Sequence, residues 1–238
     1  MTGLVKFAAF SAALIALLVF VVIPVVAGPV ISGLAHDAGL EGDDVEVSVD
    51  LLGPGILSGR APSVRIQGNQ VDVPRAVIGR VDLTLTEVSL SDRTFETVSG
   101  TLYEVRVTGP GDVGIVVETI DLEGPAEATR ATGRLDRPES EALVREIASQ
   151  AGLEVDDVIL DDGSITFQQG GRTVDARLRV TGDALILDPV GVEPIVLLAP
   201  APSDSWRLSD VLITPDGMTV DLTVDVRDLA SQLSAPPR

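Results

Sequence analysis

Cysteine is absent from all 238 residues. Disulfides, thiolate catalysis, Cys-ligated zinc and lipid attachment at an N-terminal Cys are therefore excluded. Histidine occurs once, at His36, and lysine once, at Lys6. A single imidazole removes a His-rich zinc site and gives no footing to Ser-His-Asp or Cys-His catalysis. Aromatic side chains are scarce: after residue 28 only Phe95, Tyr103, Phe167 and Trp206 occur. Sugar clefts and single-strand platforms depend on ring stacking, so a lectin-like role is poorly supported. Positive charge is also in short supply, with 17 basic against 36 acidic residues and a net charge of −19. Such a chain is repelled by nucleic acid backbones, so no nucleic acid partner is expected, and the acidity reads as a solvated surface. No metal, cofactor or catalytic residue is assigned.

Long apolar runs, by contrast, are present. Phe7 to Ala27 is almost unbroken Ala, Val, Leu, Ile and Phe, interrupted by Ser11 and Pro24. About 20 such residues in a helix match a hydrocarbon core of about 30 Å. Residues 1–28 thus read as an N-terminal transmembrane anchor, or as a signal sequence cleaved near Val25-Val26-Ala27. Lys6 precedes the run and acidic residues from Asp37 follow it. The positive-inside rule places the N-terminus in the cytoplasm and residues 29–230 outside, with 231–238 as a disordered tail.

Within that exported part, Leu34-Ala-His-Asp-Ala-Gly-Leu-Glu-Gly-Asp-Asp-Val45 returns 113 positions later as Ile147-Ala-Ser-Gln-Ala-Gly-Leu-Glu-Val-Asp-Asp-Val158, with eight of twelve positions identical. Each copy reads as a helix end, a glycine C-cap and an entering strand. Two half-repeats, about 30–125 and 138–228, follow, unless helix-to-strand connections simply converge on such residues. Val45, Val47 and Val49 begin a series of one-faced strands. It continues through Val64/Ile66, Val71/Val73, Val81/Leu83/Leu85, Tyr103/Val105/Val107 and Val113/Ile115/Val117. After Leu85 the alternation resumes out of phase at Val88, which predicts a bulge near Glu87. The second series runs through Val158/Leu160, Ile165/Phe167, Val174 to Val180, Leu185/Leu187, Leu208 to Ile213 and Met218 to Val226. Asp161-Asp162-Gly163 and Pro215-Asp216-Gly217 predict hairpin turns.

Helices are expected over 30–38 and, more clearly, over 138–151, where Leu143, Val144, Ile147 and Ala148 form one apolar stripe. Short turns without intervening helices imply antiparallel strands. The expected fold class is therefore α+β: a curved antiparallel sheet wrapped on a long amphipathic helix, leaving an apolar trough. Val190 to Pro202 is apolar on both faces and carries three prolines, so it does not read as a half-wet strand. It is either a buried crossover or an apolar lip. The adjacent acidic pairs Asp43/Asp44, Asp156/Asp157 and Asp161/Asp162 point to opposite faces of any strand, and turn or connector roles explain them better than glycoside hydrolysis.

Several stretches in order, Val64-Arg-Ile-Gln-Gly, Val71-Asp-Val-Pro, Val81-Asp-Leu-Thr-Leu-Thr-Glu-Val-Ser-Leu90, the helix into Ala151-Gly-Leu153, Gly182-Asp-Ala-Leu-Ile-Leu-Asp-Pro189 and Pro215-Asp-Gly-Met-Thr-Val-Asp-Leu222, resemble the LmeA-like phospholipid-binding family of actinobacterial envelopes. The likeness covers about residues 30 to 228 and lies in pattern and order. It implies a TULIP-like fold and a non-enzymatic binder of phospholipid or another acyl lipid in the cell envelope, assisting lipid or glycolipid maturation. Aliphatic composition agrees, since burying acyl methylenes is worth about 0.8 kcal/mol each without polar partners. The expected trough walls are Leu143, Val144 and Ile147, with Ile195, Val196, Leu197 and Leu198 as the lip. The rival expectations are a structural, partner-binding envelope domain with a filled core and, less supported, a carboxylate hydrolase.

Overall fold

The computed structural model describes residues 46–50, 60–73, 76–89, 94–108, 114–150, 155–191, 193–201 and 204–226. The apolar segment 7–27, the helix expected over 30–38, His36, the first repeat copy, Asp43/Asp44, Ala151 to Leu153 and the tail 231–238 lie outside the described residues. Among the described residues no helix is long and apolar enough to cross a membrane.

Long aliphatic strands dominate. β1 (Glu46–Asp50), β2 (Arg60–Val73), β3 (Ala76–Ser89), β4 (Thr97–Thr108), β5 (Gly114–Pro125) and β6 (Thr129–Asp136) follow one another as an antiparallel meander. The chain then leaves through α1 (Arg137–Gln150) to build β7 (Asp157–Asp161), β8 (Ser164–Gln169), β9 (Arg172–Thr181), β10 (Ala184–Pro189) and β11 (Ile195–Leu198). These five form a second, antiparallel sheet in simple sequential order. The chain returns as β12 (Trp206–Thr214) and β13 (Gly217–Val224), and β13 slots in beside β6 to complete an eight-stranded sheet.

The large sheet carries two transverse creases. In β2, Gly68 and Val71 are both buried while Asn69 and Gln70 both face outward. The same slip of phase occurs at Gly79-Arg80 in β3, Tyr103-Glu104 in β4 and Glu118-Thr119 in β5. Register is unchanged on either side: Asn69 faces Arg80 and Val71 faces Ile78, Arg80 faces Tyr103 and Ile78 faces Val105, Tyr103 faces Thr119 and Val105 faces Val117. The four slips therefore lie side by side. Gln70 and Glu104 take left-handed φ values of 49° and 50° there. Gly79 lacks the Cβ that would sit 2.9 Å from the Cβ of Glu104. A second crease runs through Pro62-Ser63, Thr86-Glu87 and Glu96-Thr97, where Glu87 has φ 49°. Paired outward residues lengthen the outer surface, so each crease bends the sheet toward its aliphatic side, as bulges bend strands.

The helix begins where β6 stops pairing with β5. Asp136 Oδ1 accepts a hydrogen bond from the backbone N–H of Glu139 at 3.0 Å, an N-cap. Glu139 Oε2 in turn accepts from the N–H of Val116 at 3.4 Å, on the stretch of β5 that β6 no longer covers. Leu143, Val144 and Ala148 are buried, and α1 packs mainly on β5, β6, β7 and β13. The smaller sheet meets the edge of β12 through its hairpin tips. Gly163 N–H donates to the Ile213 carbonyl at 3.0 Å, and Arg207 pairs with Asp183 at 3.3 Å.

This architecture corrects the expected α+β class. Strands occupy 73% of the described residues, in two antiparallel sheets, with one short helix. At about 1.5 Å per residue, the 14 residues of α1 span about 21 Å, whereas strands of 14 residues run about 46 Å at about 3.3 Å per residue. The helix is a plug at one end, and no long amphipathic helix forms the centre among the described residues. The inner side chains of β2 to β5 are nevertheless buried, although α1 packs mainly on β5, β6, β7 and β13. β6 had also escaped notice, because Thr129, Ala131 and Gly133 fill three of its inward positions.

Candidate functional site

Two features stand out: the enclosed aliphatic face of the large sheet and the apolar edge of the small one. The inner face is built in lateral rows. Ile66, Leu83, Gly100, Leu122, Ala131, Leu222 and Leu208 lie opposite one another across seven strands. The next row carries Gly68, Val81, Leu102, Ile120, Gly133 and Val220. Val64, Ile78, Leu83, Leu85, Leu102, Val105 and Ile120 are 0% exposed. Buried polar side chains among the described residues are Ser89, Thr129, Ser140 and Ser205. Thr129 and Ser140 donate to the carbonyls of Pro125 and Leu135, so they satisfy local backbone and point to no chemistry.

The outer face of the same sheet is a salt-bridged lattice. Asp82, Thr101, Asp121, Thr132, Asp221 and Asp210 form one lateral row. Arg65 donates twice to Asp82, at 3.1 and 3.2 Å from Nη2, and Thr101 donates to Asp121 at 2.7 Å. Asp221 accepts from both Arg130 and Thr132. That hydrogen bond and the Asp221 charge raise the Arg130 pKa above its ordinary value, and Glu141 does the same for Arg137. Arg80 lies over the Tyr103 ring at 5.5 Å. Surface pairs of this kind contribute little each.

The residues expected to bind lipid are distributed over both features. Leu143 (6% exposed) and Val144 (1%) sit in the core beneath α1. Leu197 is buried, Ile195 is half-buried against the core, and Val196 is 53% exposed. The side chains of Ile147 and Leu198 lie outside the described residues. Ile195–Leu198 is an edge strand and so corrects the reading that this stretch cannot be half-wet. Pro194 and Pro200 fall just outside it, where an edge tolerates them. Tyr103 was expected on the same face as Val105; the crease turns it outward.

The two acidic pairs among the described residues serve turns and connectors. Asp156 accepts from Gly170 N–H at 2.7 Å, Asp157 from Val158 N–H at 2.9 Å, and Asp161 from Asp162 N–H at 2.8 Å. Among the described residues no three potential ligands are placed to hold a metal. The spacing Gly109-Pro-Gly-Asp-Val-Gly114 matches a dinucleotide-binding glycine pattern. It links β4 to β5, two antiparallel strands, so it lacks the helix N-terminus that such a motif needs. Comparison with protein-family models, with curated proteins and with solved structures finds no match to this chain.

Proposed function

We propose that the chain is a non-catalytic, membrane-tethered extracytoplasmic domain that shelters acyl chains of phospholipids. The observation that carries this reading is the mismatch between the aliphatic inner face and the helix that covers it. Rows of Val, Leu, Ile, Ala and Gly run from β2 to β13, whereas α1 packs mainly on β5, β6, β13 and β7. An aliphatic surface with no ionisable side chain suits an acyl chain, which needs burial and dispersion alone. The likeness in segment order to LmeA-like phospholipid-binding proteins supports the same reading. The half-repeat reading rests on the repeated segment: its first copy precedes β1, the edge of a six-stranded meander, and its second enters β7, the edge of a five-stranded sheet.

A second reading, a partner-binding envelope domain with a filled core, is favoured by the inner side chains at 0% exposure, which leave no water-sized hollow beside them. Photo-crosslinking separates the two. The full chain in vesicles containing a phospholipid with a diazirine at mid-acyl depth is irradiated and its labelled peptides mapped. Labelling within β2 to β5 or at Ile195–Leu198 is expected for an acyl shelter. Labelling confined to residues 7–27 leaves the filled-core domain.

A further inference from the structure

The first crease divides the large sheet into unequal parts. Among the described residues, β1 stops pairing with β2 at Gln67, and β6 stops pairing with β5 at Thr119. Beyond the crease, residues 71–73, 76–78, 105–108 and 114–117 continue as a four-stranded lobe of β2 to β5, with no described strand beside either edge. At the crease itself the ladder skips one residue on each strand. Gln70, Gly79, Glu104 and Glu118 fall between paired residues, all at one height. Gln70 and Glu104 hold left-handed φ values, a strained conformation for residues other than glycine. A hydrogen bond from Val116 N–H to Glu139 Oε2 ties the β5 edge of the lobe to α1; at 3.4 Å it is long for its kind.

We propose that this lobe is a hinged flap, held shut by the Glu139 contact, whose opening about the crease admits acyl chains to the inner face. This rests on the acyl-shelter reading. A sheet ordinarily resists transverse bending, because paired residues on neighbouring strands must move together. Here all four strands change direction at the same height, so one rotation about a single line leaves the pairing on both sides whole. Hinges of this kind need only a few residues that absorb the change in φ and ψ. The inner face of the lobe, Val71, Ala76, Ile78, Val105, Ile115 and Val117, is buried. Opening in water would expose it, which keeps the flap shut. Acyl chains would cover the same side chains, so lipid favours the open form. The 0% exposure of Ile78, Val105 and Val117, which alone would favour a filled core, is then a property of the shut state.

Hydrogen exchange of the full chain in mild detergent tests the hinge without phospholipid. Amides of 76–78 and 105–107 lie on strands flanked on both sides. They are expected to exchange together, about tenfold faster than those of 81–85 and 98–102, as a separately opening unit does. Glu139→Ala should speed them by about threefold more through loss of one hydrogen bond, although Glu139 touches only β5, two strands from β3. Glu139→Gln, which keeps an acceptor, should restore the wild-type rate. Glu141→Ala is the control, since Glu141 lies near the same end of α1 but pairs with Arg137. Access is tested with V116C/E139C, bridged by a short bis-maleimide, in phosphatidylglycerol vesicles carrying the mid-acyl diazirine. The bridge should abolish the labelling of β2 to β5 that the unbridged double variant shows. Exchange of 76–78 and 105–107 in step with 81–85 and 98–102, or no greater effect of Glu139→Ala than of Glu141→Ala, would overturn the flap. Labelling that survives the bridge would overturn its role as the entrance. An unbridged variant that takes up no label there overturns the acyl-shelter reading, and the entrance with it, while the exchange result decides the hinge by itself.

Discussion

Gly100→Ala is expected to cost the fold about 2–6 kcal/mol. Gly100 sits on the inner face of β4 between Leu83 and Leu122, with φ +141°, a conformation that L side chains rarely adopt. A Cβ built there lies 2.1 Å from the carbonyl oxygen of Asp82 and 2.8 Å from Cα of Leu83, both backbone atoms of the neighbouring strand. Neither can yield without separating β3 from β4. Backbone strain and overpacking each contribute about 1–3 kcal/mol, a large share of the stability of a typical domain. Gly133→Ala is the matched control. Gly133 is also on the inner face, but a Cβ there meets nothing closer than Val117 Cγ1 at 3.8 Å, and its φ is not left-handed. That substitution is expected to be neutral or stabilising by up to about 1 kcal/mol, because it removes chain entropy from the unfolded state. Urea unfolding followed by the single tryptophan, Trp206, measures both.

The second large effect concerns what fills the enclosed face. Leu83 is 0% exposed midway between the two creases. If the side chains around it belong to the protein, Leu83→Ala leaves a cavity and costs about 2–5 kcal/mol. Where an acyl chain is the neighbour, lipid adjusts to the missing methyl groups, and the loss falls to the transfer part alone, about 2 kcal/mol or less. The comparison is made on the same chain before and after lipid extraction. A cost that is identical in both states speaks for the filled-core domain; a cost that grows on extraction speaks for the acyl shelter.

Much of the strand pattern was legible because one face is wet. The alternation of Val158/Leu160, Ile165/Phe167 and Leu185/Leu187 maps directly onto buried positions of β7, β8 and β10, and both predicted hairpin turns join the strands expected. The slip after Leu85 located Glu87 from spacing alone. The first crease was harder to see. Gly79-Arg80 and Glu118-Thr119 look like ordinary strand residues until their neighbours show the same slip at the same height, and lateral register is invisible in a single sequence. The helix was placed to within one residue, yet its weight in the fold was misjudged. Its apolar stripe, Leu143, Val144 and Ala148, announces burial without saying how large the opposing surface is. β11 was hidden for another reason: apolar residues on both faces normally signal a central strand, and here they mark an edge.

The acyl-shelter reading depends on the creased, inward-curled sheet, and cysteine scanning along β3 tests that sheet most directly. Single cysteines at positions 77 to 88 of the otherwise cysteine-free full chain are challenged with a water-soluble maleimide in the native state. The curled sheet predicts protection at 78, 81, 83, 85 and 88, with two consecutive reactive positions at 79–80 and again at 86–87. An unbroken alternation from 77 to 88, or ready labelling at 83 and 85, would contradict it.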